Sequence, residues 1–197
     1  DVDLVLRGRG PLVAAYRTYN SQDRYIGPTG KGWHHSLIVQ ATRMKDDRAQ
    51  YVLVRLPSAM RVLFTKQDEG YYSSPLGHYE VLTDEDGRLR LDWPSGDVWR
   101  FTTDGWIETI TDRNGNAVTW TYITVGTQKR PTRVTGASGQ FIQVTWASAG
   151  RIQSIQDHGG RTVSYAYNEN GNLETVTDQA GEATVYTYTQ TQDLALL

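Results

Sequence analysis

A short unit recurs from Gly105 onward, and this repeat constrains the fold more than any single motif. Complete copies begin at Gly105, Gly150 and Gly171, and a degraded copy begins at Lys129. The complete copies fit the pattern Gly-x-(Ile/Leu)-x-x-(Ile/Val)-x-Asp-x-x-Gly-x-x-(Val/Thr)-x-(Trp/Tyr)-x-Tyr. A period of about twenty residues indicates one supersecondary unit stacked many times, because a single unit cannot bury its own apolar face.

Each copy contains two runs of β-branched and aromatic residues separated by Asp-x-x-Gly. Such runs around a short Gly-containing link predict a β-hairpin. The second run alternates with a period of two, which is typical of a strand with one buried face. In the first run the apolar residues lie three apart, as at Ile107 and Ile110 or at Ile152 and Ile155. Either a β-bulge intervenes or one residue of each pair faces the other side.

Four positions recur in every complete copy, and two of them belong to the predicted turn. The Gly of the turn can adopt a positive φ, and the Asp three residues earlier can hydrogen-bond its own backbone as an Asx-turn. A catalytic role for these spaced carboxylates is the alternative. The predicted structural repeat positions are Gly105, Asp112, Gly115, Tyr122, Gly150, Asp157, Gly160, Tyr167, Gly171, Asp178, Gly181 and Tyr188.

Composition limits the functional classes. A chain of 197 residues is long enough for one sizeable domain without disulfides, and it has no cysteine. The net charge is −2 with both signs interspersed, so no nucleic-acid partner is expected. No run approaches the roughly 18 apolar residues of a membrane span, and the start has no signal-peptide pattern. The aromatics are 12 Tyr, 6 Trp and 3 Phe, which favours partly solvated sheet faces.

The residues before the repeat also predict strands rather than helices. About sixteen short strands are expected in all. The strand-like runs lie at 2–6, 12–19, 33–41, 51–57, 60–65, 79–82, 88–91 and 97–102. One period beyond Gly171, Leu194 and Leu197 occupy the expected apolar positions, which predicts that the chain ends inside a further repeat.

Two parts of the sequence together match the pattern of a known family. The first part is the repeat, with Tyr-Asn-Glu-Asn-Gly-Asn-Leu joining two copies at 167–173. The second is the opening: Asp-Leu-Val-Leu-Arg-Gly-Arg-Gly-Pro-Leu at 3–12, Arg-Thr-Tyr-Asn-Ser at 17–21 and Gly-Pro-Thr-Gly-Lys-Gly-Trp-His-His-Ser at 27–36. The combination resembles the Rhs/YD-repeat family. We therefore expect an opening β segment at 1–68 that continues into YD-repeat hairpins at 69–197.

The resemblance implies an all-β fold, a strip of antiparallel β-hairpins curved into part of a hollow shell. In polymorphic toxins of this family the shell encloses a carboxy-terminal toxic domain, often released by self-cleavage at an aspartyl motif. This sequence contains neither that motif nor a toxic domain. The expected function is a non-enzymatic structural module without a cofactor, secreted or at the cell surface. Its expected partners are the remaining repeats and the cargo of the same parent protein.

Two other functional classes remain open. The first is a surface adhesin or carbohydrate-binding module, with Trp93, Trp99, Trp106, Trp120 and Trp146 as candidates for stacking against a glycan. Ordinary cross-strand packing explains the same aromatics. The second is a carbohydrate-active enzyme, which would need two carboxylates roughly 5–10 Å apart. Its candidates are Asp84, Glu85, Asp86, Asp97 and Asp104.

Nucleotide and metal motifs fail on spacing. The loop at 27–32 departs from a phosphate loop because Gly32, not Ser or Thr, follows Lys31. His34 and His35 are adjacent on a predicted strand, so their side chains point to opposite faces and cannot share a zinc ion without a bulge. One is expected to pack beside Trp33 and the other to be solvated. The turns at 84–87 and 112–116 lack the ligand order of a calcium loop, which leaves only loose calcium binding by a bent turn.

Overall fold

The chain, seen in a computed structural model, is described at residues 1–47, 49–67 and 70–189. Within these ranges it forms 20 strands arranged in three sheets. The prediction of an all-β strip of antiparallel hairpins is confirmed. The strands outnumber the expected sixteen because short pairs, such as the one at 26–31, were not recognisable as apolar runs.

The opening residues form a small sheet of their own. It contains β1 (Val2–Leu6), β2 (Val13–Tyr19) and β5 (Trp33–His35), in the order β1-β2-β5. Between β2 and β5 the chain makes a separate hairpin of β3 (Ile26–Gly27) and β4 (Gly30–Lys31). All these pairs are antiparallel. From here on, the name opening segment is used for residues 1–39, the part of the predicted opening β segment that precedes the first strand of the long sheet.

The remaining strands form one long strip. It has 15 strands, and each pairs with its neighbours in sequence. All pairs are antiparallel, and the strip is not closed into a barrel. Its strands are β6 (Gln40–Lys45), β7 (Gln50–Arg55), β8 (Arg61–Lys66), β9 (Tyr71–Ser73), β10 (Val81–Glu85), β11 (Arg88–Asp92), β12 (Val98–Phe101), β13 (Ile107–Thr111), β14 (Ala117–Val125), β15 (Gln128–Thr135), β16 (Phe141–Trp146), β17 (Ile152–Asp157), β18 (Thr162–Tyr167), β19 (Leu173–Thr177) and β20 (Ala183–Val185).

One predicted strand is wrong, because the run at 33–41 is two strands in different sheets. β5 belongs to the small sheet and β6 to the strip. A turn separates them, in which the Ile38 N–H donates to the His35 carbonyl at 2.9 Å. This turn contains neither Gly nor Pro, so the apolar run carries no local signal of a break.

A β-bulge recurs at one position of the repeat. In β16–β17 the pairing skips Gln153, so that Ser154 and Ile152 face consecutive residues of β16. The same shift occurs in the pairs β12–β13, β14–β15 and β18–β19. The extra residue brings two apolar residues that lie three apart onto one face, and both Ile152 and Ile155 are fully buried. Of the two interpretations of the first run, the bulge is therefore correct.

The buried apolar residues form two cores. The first lies between the small sheet and strands β14 to β19, and contains Leu4, Leu6, Val13, Ala15, Trp33, Leu37, Ile38, Val118, Val134, Ile142, Val144, Ile152, Ile155, Val163, Tyr165, Leu173 and Val176. The second is enclosed by β6 to β13 and contains Val39, Ala41, Val52, Val54, Leu56, Val62, Phe64, Tyr72, Leu82, Leu89, Leu91, Phe101 and Ile107. We call the face of the strip that carries these residues its inner face.

The strip curls so that its first strand meets its eighth, β13, at a contact we call the seam. The Ala41 N–H donates to the Gly105 carbonyl at 2.8 Å, and the Ile107 N–H donates to the Val39 carbonyl at 3.3 Å. Between them lies an isolated antiparallel bridge. A Cβ on Gly105 would lie 2.0 Å from the Ala41 carbonyl oxygen, and its φ is +81°, so only glycine fits.

Two predictions are not tested by these strands. The division between residues 68 and 69 stays a prediction, although hydrogen bonding crosses it where β8 pairs with β9. Leu194 and Leu197 lie outside the described residues, so the further repeat also stays a prediction. In the part of the chain that the structure describes, no helix has the length and apolarity needed to cross a membrane.

Candidate functional site

The Asp of the repeat organises the hairpin turn. Oδ1 of Asp112 accepts the backbone N–H of Asn114 at 2.8 Å and that of Asn116 at 2.9 Å. The Gly115 N–H donates to the Asp112 carbonyl, and Gly115 has a φ of 83°. The side chain of Asn116 adds a further donor at 2.8 Å, and these hydrogen bonds lower the pKa of the Asp112 carboxyl. The carboxylate is thus an acceptor built into the turn.

The same turn recurs in the other complete copies. Oδ1 of Asp157 accepts the N–H of Gly159 and that of Arg161, each at 2.9 Å. Asp178 accepts the equivalent pair at 2.8 and 2.9 Å. Burial alone would raise the pKa of Asp157, but the hydrogen bonds from Arg161 outweigh it and the pKa lies below its usual value. Each carboxylate is engaged within its own turn.

The last aromatic residue of each copy fastens the bulge of that copy. Its hydroxyl or indole N–H donates to a backbone carbonyl 15 residues earlier, at the first apolar position. Sequence reasoning missed this contact and placed the aromatics only on a strand face, although the constant spacing was visible. The pairs are Tyr122–Ile107 at 2.6 Å, Trp146–Pro131 at 2.7 Å, Tyr167–Ile152 at 2.7 Å and Tyr188–Leu173 at 2.5 Å.

Burial keeps these tyrosine hydroxyls protonated, as donors must be. It raises the pKa of Tyr122 and of Tyr167 well above the usual value, and that of Tyr188 to about 12. The bulge and the aromatic side chain that fastens it therefore form one local device that is repeated along the strip. We call the hydrogen bond from that aromatic side chain to the bulge the aromatic lock.

The hairpin β3–β4 of the opening segment contacts the start of the repeat at Gly150. The Pro28 carbonyl accepts the Ile152 N–H at 3.0 Å and the Tyr167 hydroxyl at 3.2 Å. Nη1 of Arg151 donates to the Gly27 carbonyl at 2.8 Å. The opening segment thus supplies acceptors to backbone and side-chain donors of the repeat.

The same hairpin also packs against the repeat that begins at Gly171. A Cβ on Gly30 would lie 3.0 Å from the backbone nitrogen of Leu173, and Gly30 has a φ of +103°. The Lys31 N–H donates to Oδ1 of Asn172 at 3.3 Å. The glycines of this loop therefore permit close packing on the strip, and the loop leads into β5, not into the helix that a phosphate loop requires.

A buried polar cluster joins the small sheet to β18 and to Tyr186, which directly follows β20. Nη2 of Arg17 lies 2.9 Å from Oδ1 of Asp3, and both side chains are below 5% exposed. The Tyr165 hydroxyl donates to Asp3 at 2.8 Å and lies 3.3 Å from Nε2 of His35, while Nη1 of Arg17 donates to the Tyr186 hydroxyl at 2.9 Å. Burial lowers the pKa of His35 to about 4, so this imidazole is neutral at neutral pH.

The expectation that one of the two adjacent histidines is solvated is wrong. His34 and His35 are 4% and 3% exposed, because β5 is covered on both faces. His34 contacts Oδ2 of Asp23 at 3.0 Å, stacks on the Tyr25 ring with centroids 4.9 Å apart, and has Arg55 3.5 Å from its Nδ1. In the described ranges, no three His, Asp or Glu side chains gather in a way that could hold a metal ion.

The five candidate tryptophans occupy different places. The rings of Trp93 and Trp99 lie 5.2 Å apart and pack against the second core. Trp120 donates its indole N–H to a backbone carbonyl of the opening segment at 3.2 Å. Trp106 and Trp146, distant in sequence, line one cleft of about 520 Å³ beside the hairpin β3–β4. Trp99 and Trp120 line a smaller cavity of about 290 Å³, so the structure brings two pairs of the five candidates together at accessible sites.

Four of the five candidate carboxylates of an enzyme have a structural partner. Oδ2 of Asp84 lies 2.9 Å from Arg43, and Oδ1 of Asp104 lies 3.1 Å from Nζ of Lys129. Burial alone would raise the pKa of Asp104, but hydrogen bonds from Thr102 and Lys129 lower it below its usual value. Glu85 pairs with Arg90, Asp97 accepts from Ser95, and Asp86 occupies a turn with a φ of 53°.

The long strip, the recurring bulge and the recurring turn together define a hairpin-repeat protein. Its opening segment packs on its own repeats. The sequence comparisons agree with this class. Residues 1–64 match the family described as Domain of unknown function (DUF6531), and residues 146–183 match the RHS Repeat. The two matches together support the resemblance to the Rhs/YD-repeat family that the sequence predicted.

Curated relatives are similar over 121 residues, which is 61% of this chain. Identity is 32% to the tRNA nuclease WapA of Bacillus subtilis (strain 168) and 32% to the tRNA(Glu)-specific nuclease WapA of Bacillus subtilis subsp. natto (strain BEST195). It is 31% to the tRNA3(Ser)-specific nuclease WapA of Bacillus spizizenii (strain DSM 15029 / JCM 12233 / NBRC 101239 / NRRL B-23049 / TU-B-10). The match spans only 5% of each relative's length, so the chain corresponds to a small part of much longer proteins.

Proposed function

We propose that this chain is a non-enzymatic wall segment, the opening part and first repeats of an Rhs-type shell that encloses a carboxy-terminal toxin cargo. The observation that carries the proposal is the seam, where a strip of 15 sequentially paired strands turns back on its own first strand. A strip that curls and continues beyond its starting edge has the geometry of a spiral wall.

The distribution of side chains supports a wall with two different faces. Along β16 and β18 the buried inner-face residues alternate with exposed or half-buried ones. The buried residues are Ile142 and Val144 in β16, and Val163 and Tyr165 in β18. The opening segment covers the inner face over β14 to β19. In this proposal the opening segment closes one end of the shell, and further repeats continue the strip beyond β20.

The proposal assigns catalysis to another part of the parent protein. The relatives are named as tRNA nucleases, and this chain matches 5% of their length. Here the Asp residues of the repeat are turn acceptors, and the net charge of −2 does not favour contact with RNA. Export of the parent protein to the exterior or the cell surface is part of the same proposal.

Limited proteolysis of the natural gene product that contains this segment tests the enclosure. We expect the region downstream of the repeats to resist trypsin while the wall is intact. Gly105→Ala should make that region sensitive, because it opens the seam. Gly115→Ala is the matched control, since it has nearly the same φ but nothing within 4 Å of its Cβ. A downstream region that is cut equally in the wild type and in both variants would contradict enclosure.

A further inference from the structure

We propose that the cleft lined by Trp106 and Trp146 binds a neutral oligosaccharide. This activity does not depend on the wall proposal, because it concerns a surface of the described chain alone. The cleft has a volume of about 520 Å³, within the roughly 300–1,000 Å³ typical of small-ligand sites.

The cleft exists because the degraded repeat interrupts the contact between the opening segment and the strip. On one side the strip is held at the seam by Gly105 and Ala41, and on the other by Arg151 and the Gly27 carbonyl. Between these contacts the copy begins with Lys129 in place of glycine, after the inserted residues 123–128. The long hairpin of β14 and β15 forms one wall, and residues 25–28 form the other.

Two indole rings are held in fixed positions at the cleft. Trp146 donates its N–H to the Pro131 carbonyl at 2.7 Å, and the guanidinium of Arg130 lies 5.5 Å from its ring. The Trp106 ring packs on Tyr122 with centroids 5.7 Å apart. Because neighbours already restrict these rings, stacking on the C–H face of a sugar would cost little side-chain entropy.

The polar groups of the cleft suit hydroxyls rather than charges. The side-chain amide of Gln40 lines the cleft and has no hydrogen-bond partner among the described residues, so it offers donors and an acceptor to vicinal hydroxyls. Asp104 and Lys129 neutralise each other at 3.1 Å. Arg151 already donates Nε and Nη1 to the Gly171 and Gly27 carbonyls. A neutral ligand therefore fits better than an acidic one.

Trp93 shows what packing alone looks like in this protein. Its ring lies against the second core, and its Nε1 is buried without a partner among the described residues. In contrast, the cleft surrounds its two indoles with Gln40, Gln128 and an ion pair at the surface. This contrast provides the internal control for the experiment.

The test follows the six tryptophan indole N–H signals by NMR while the whole chain is titrated with maltotriose, chitotriose or trigalacturonic acid. We expect saturable shifts of the Trp106 and Trp146 signals with at least one neutral trisaccharide, at a Kd of about 1 mM or below. The Trp93 signal should not move. Trp106→Ala should weaken binding at least tenfold.

A second variant, Gln40→Ala, keeps the test decisive if the Trp106→Ala protein does not fold. Gln40→Ala removes the side-chain amide and leaves the backbone bridge between residues 40 and 106 intact. It should also weaken binding at least tenfold, whereas Trp99→Phe should not change it. The proposal is overturned if no neutral trisaccharide gives saturable shifts or if only the acidic one does. It is equally overturned if a folded Gln40→Ala protein binds as the wild type does.

Discussion

Strands β6–β13 and strands β14–β19 have the same antiparallel pattern, yet their inner faces are covered in different ways. The first group curls around its own core and meets itself at the seam. The second group does not close on itself. Its inner face is covered instead by seven buried apolar residues of the opening segment: Leu4, Leu6, Val13, Ala15, Trp33, Leu37 and Ile38.

This difference separates what the repeat specifies from what it leaves open. Turn, bulge and aromatic lock specify a hairpin, and they recur where the inner face is covered by the opening segment as well as next to the seam. The repeat does not specify what covers its apolar face, because any apolar surface packed against that face can bury it. The opening segment therefore acts as a stabilising partner for the second group of strands.

Deleting residues 1–38 should have the largest effect. The deletion exposes the first core. Each of the six large apolar side chains lost contributes about 1.5–3 kcal/mol, so their sum of about 9–18 kcal/mol is as large as the usual 5–15 kcal/mol stability of a domain. In hydrogen exchange, β14–β19 should lose protection while β7, β8 and β11 keep it. Equal protection of both groups after the deletion would show that the comparison is mistaken.

Opening the seam should have the next largest effect. Both variants introduce backbone strain, because Gly105 has a φ of 81° and Gly115 a φ of 83°. Only Gly105→Ala also places a methyl group against the Ala41 carbonyl. We expect Gly105→Ala to cost at least about 2 kcal/mol more in the free energy of unfolding, because it also breaks two backbone hydrogen bonds. Urea titration of both variants measures the difference. Equal losses would mean that the seam contributes nothing.

Acid should weaken the second group of strands through His35. Its pKa of about 4 in the fold lies below the 6.5 of an unperturbed histidine, so the unfolded chain binds more protons between these values. Stability is then complete above pH 6.5 and is lost as the pH falls towards 4, by about 3 kcal/mol at most. The groups facing His35 are Asp3, Arg17 and Tyr165.

Urea unfolding at pH 7 and pH 5 checks this effect in the wild type and in His35→Gln. The variant should lose less stability between the two values, while His34, whose pKa burial also lowers, contributes a dependence that both proteins keep. An identical loss in both proteins would exclude His35 as the titrating group.

Removing one aromatic lock should have the smallest effect, and its size should depend on whether the opening segment also accepts from that lock. Tyr167→Phe removes one O–H that is shared between the Ile152 and Pro28 carbonyls, at 2.7 and 3.2 Å, whereas Tyr122→Phe removes an O–H donated to the Ile107 carbonyl. We expect losses of about 1–2 kcal/mol and about 1 kcal/mol respectively. The exposed Tyr79 serves as the control, since Tyr79→Phe should leave the melting temperature unchanged. A larger loss for Tyr122→Phe would reverse the ranking.

The sequence predicted local features better than tertiary ones. Asp112 and Gly115 have a local turn chemistry, so their pattern indicated the hairpin directly. The break between His35 and Gln40 was missed because no Gly or Pro marks it. The meeting of Trp106 with Trp146, and of Pro28 with Ile152, depends on how far the strip curls, which no local pattern encodes. The 15-residue spacing from tyrosine to bulge was present in the sequence but its chemical meaning required the bulge geometry.

An engineered disulfide across the seam tests the curl most directly. Gln40 and Trp106 face each other in an antiparallel bridge, and the chain has no native cysteine to compete. Opposed residues in such a bridge have Cα atoms about 4.5–5.5 Å apart, which suits a disulfide. Under mild oxidation, the double variant Gln40→Cys with Trp106→Cys should form an intramolecular cross-link in nearly every folded molecule, detected by mass spectrometry. Two free thiols in a folded double variant would contradict the curled strip.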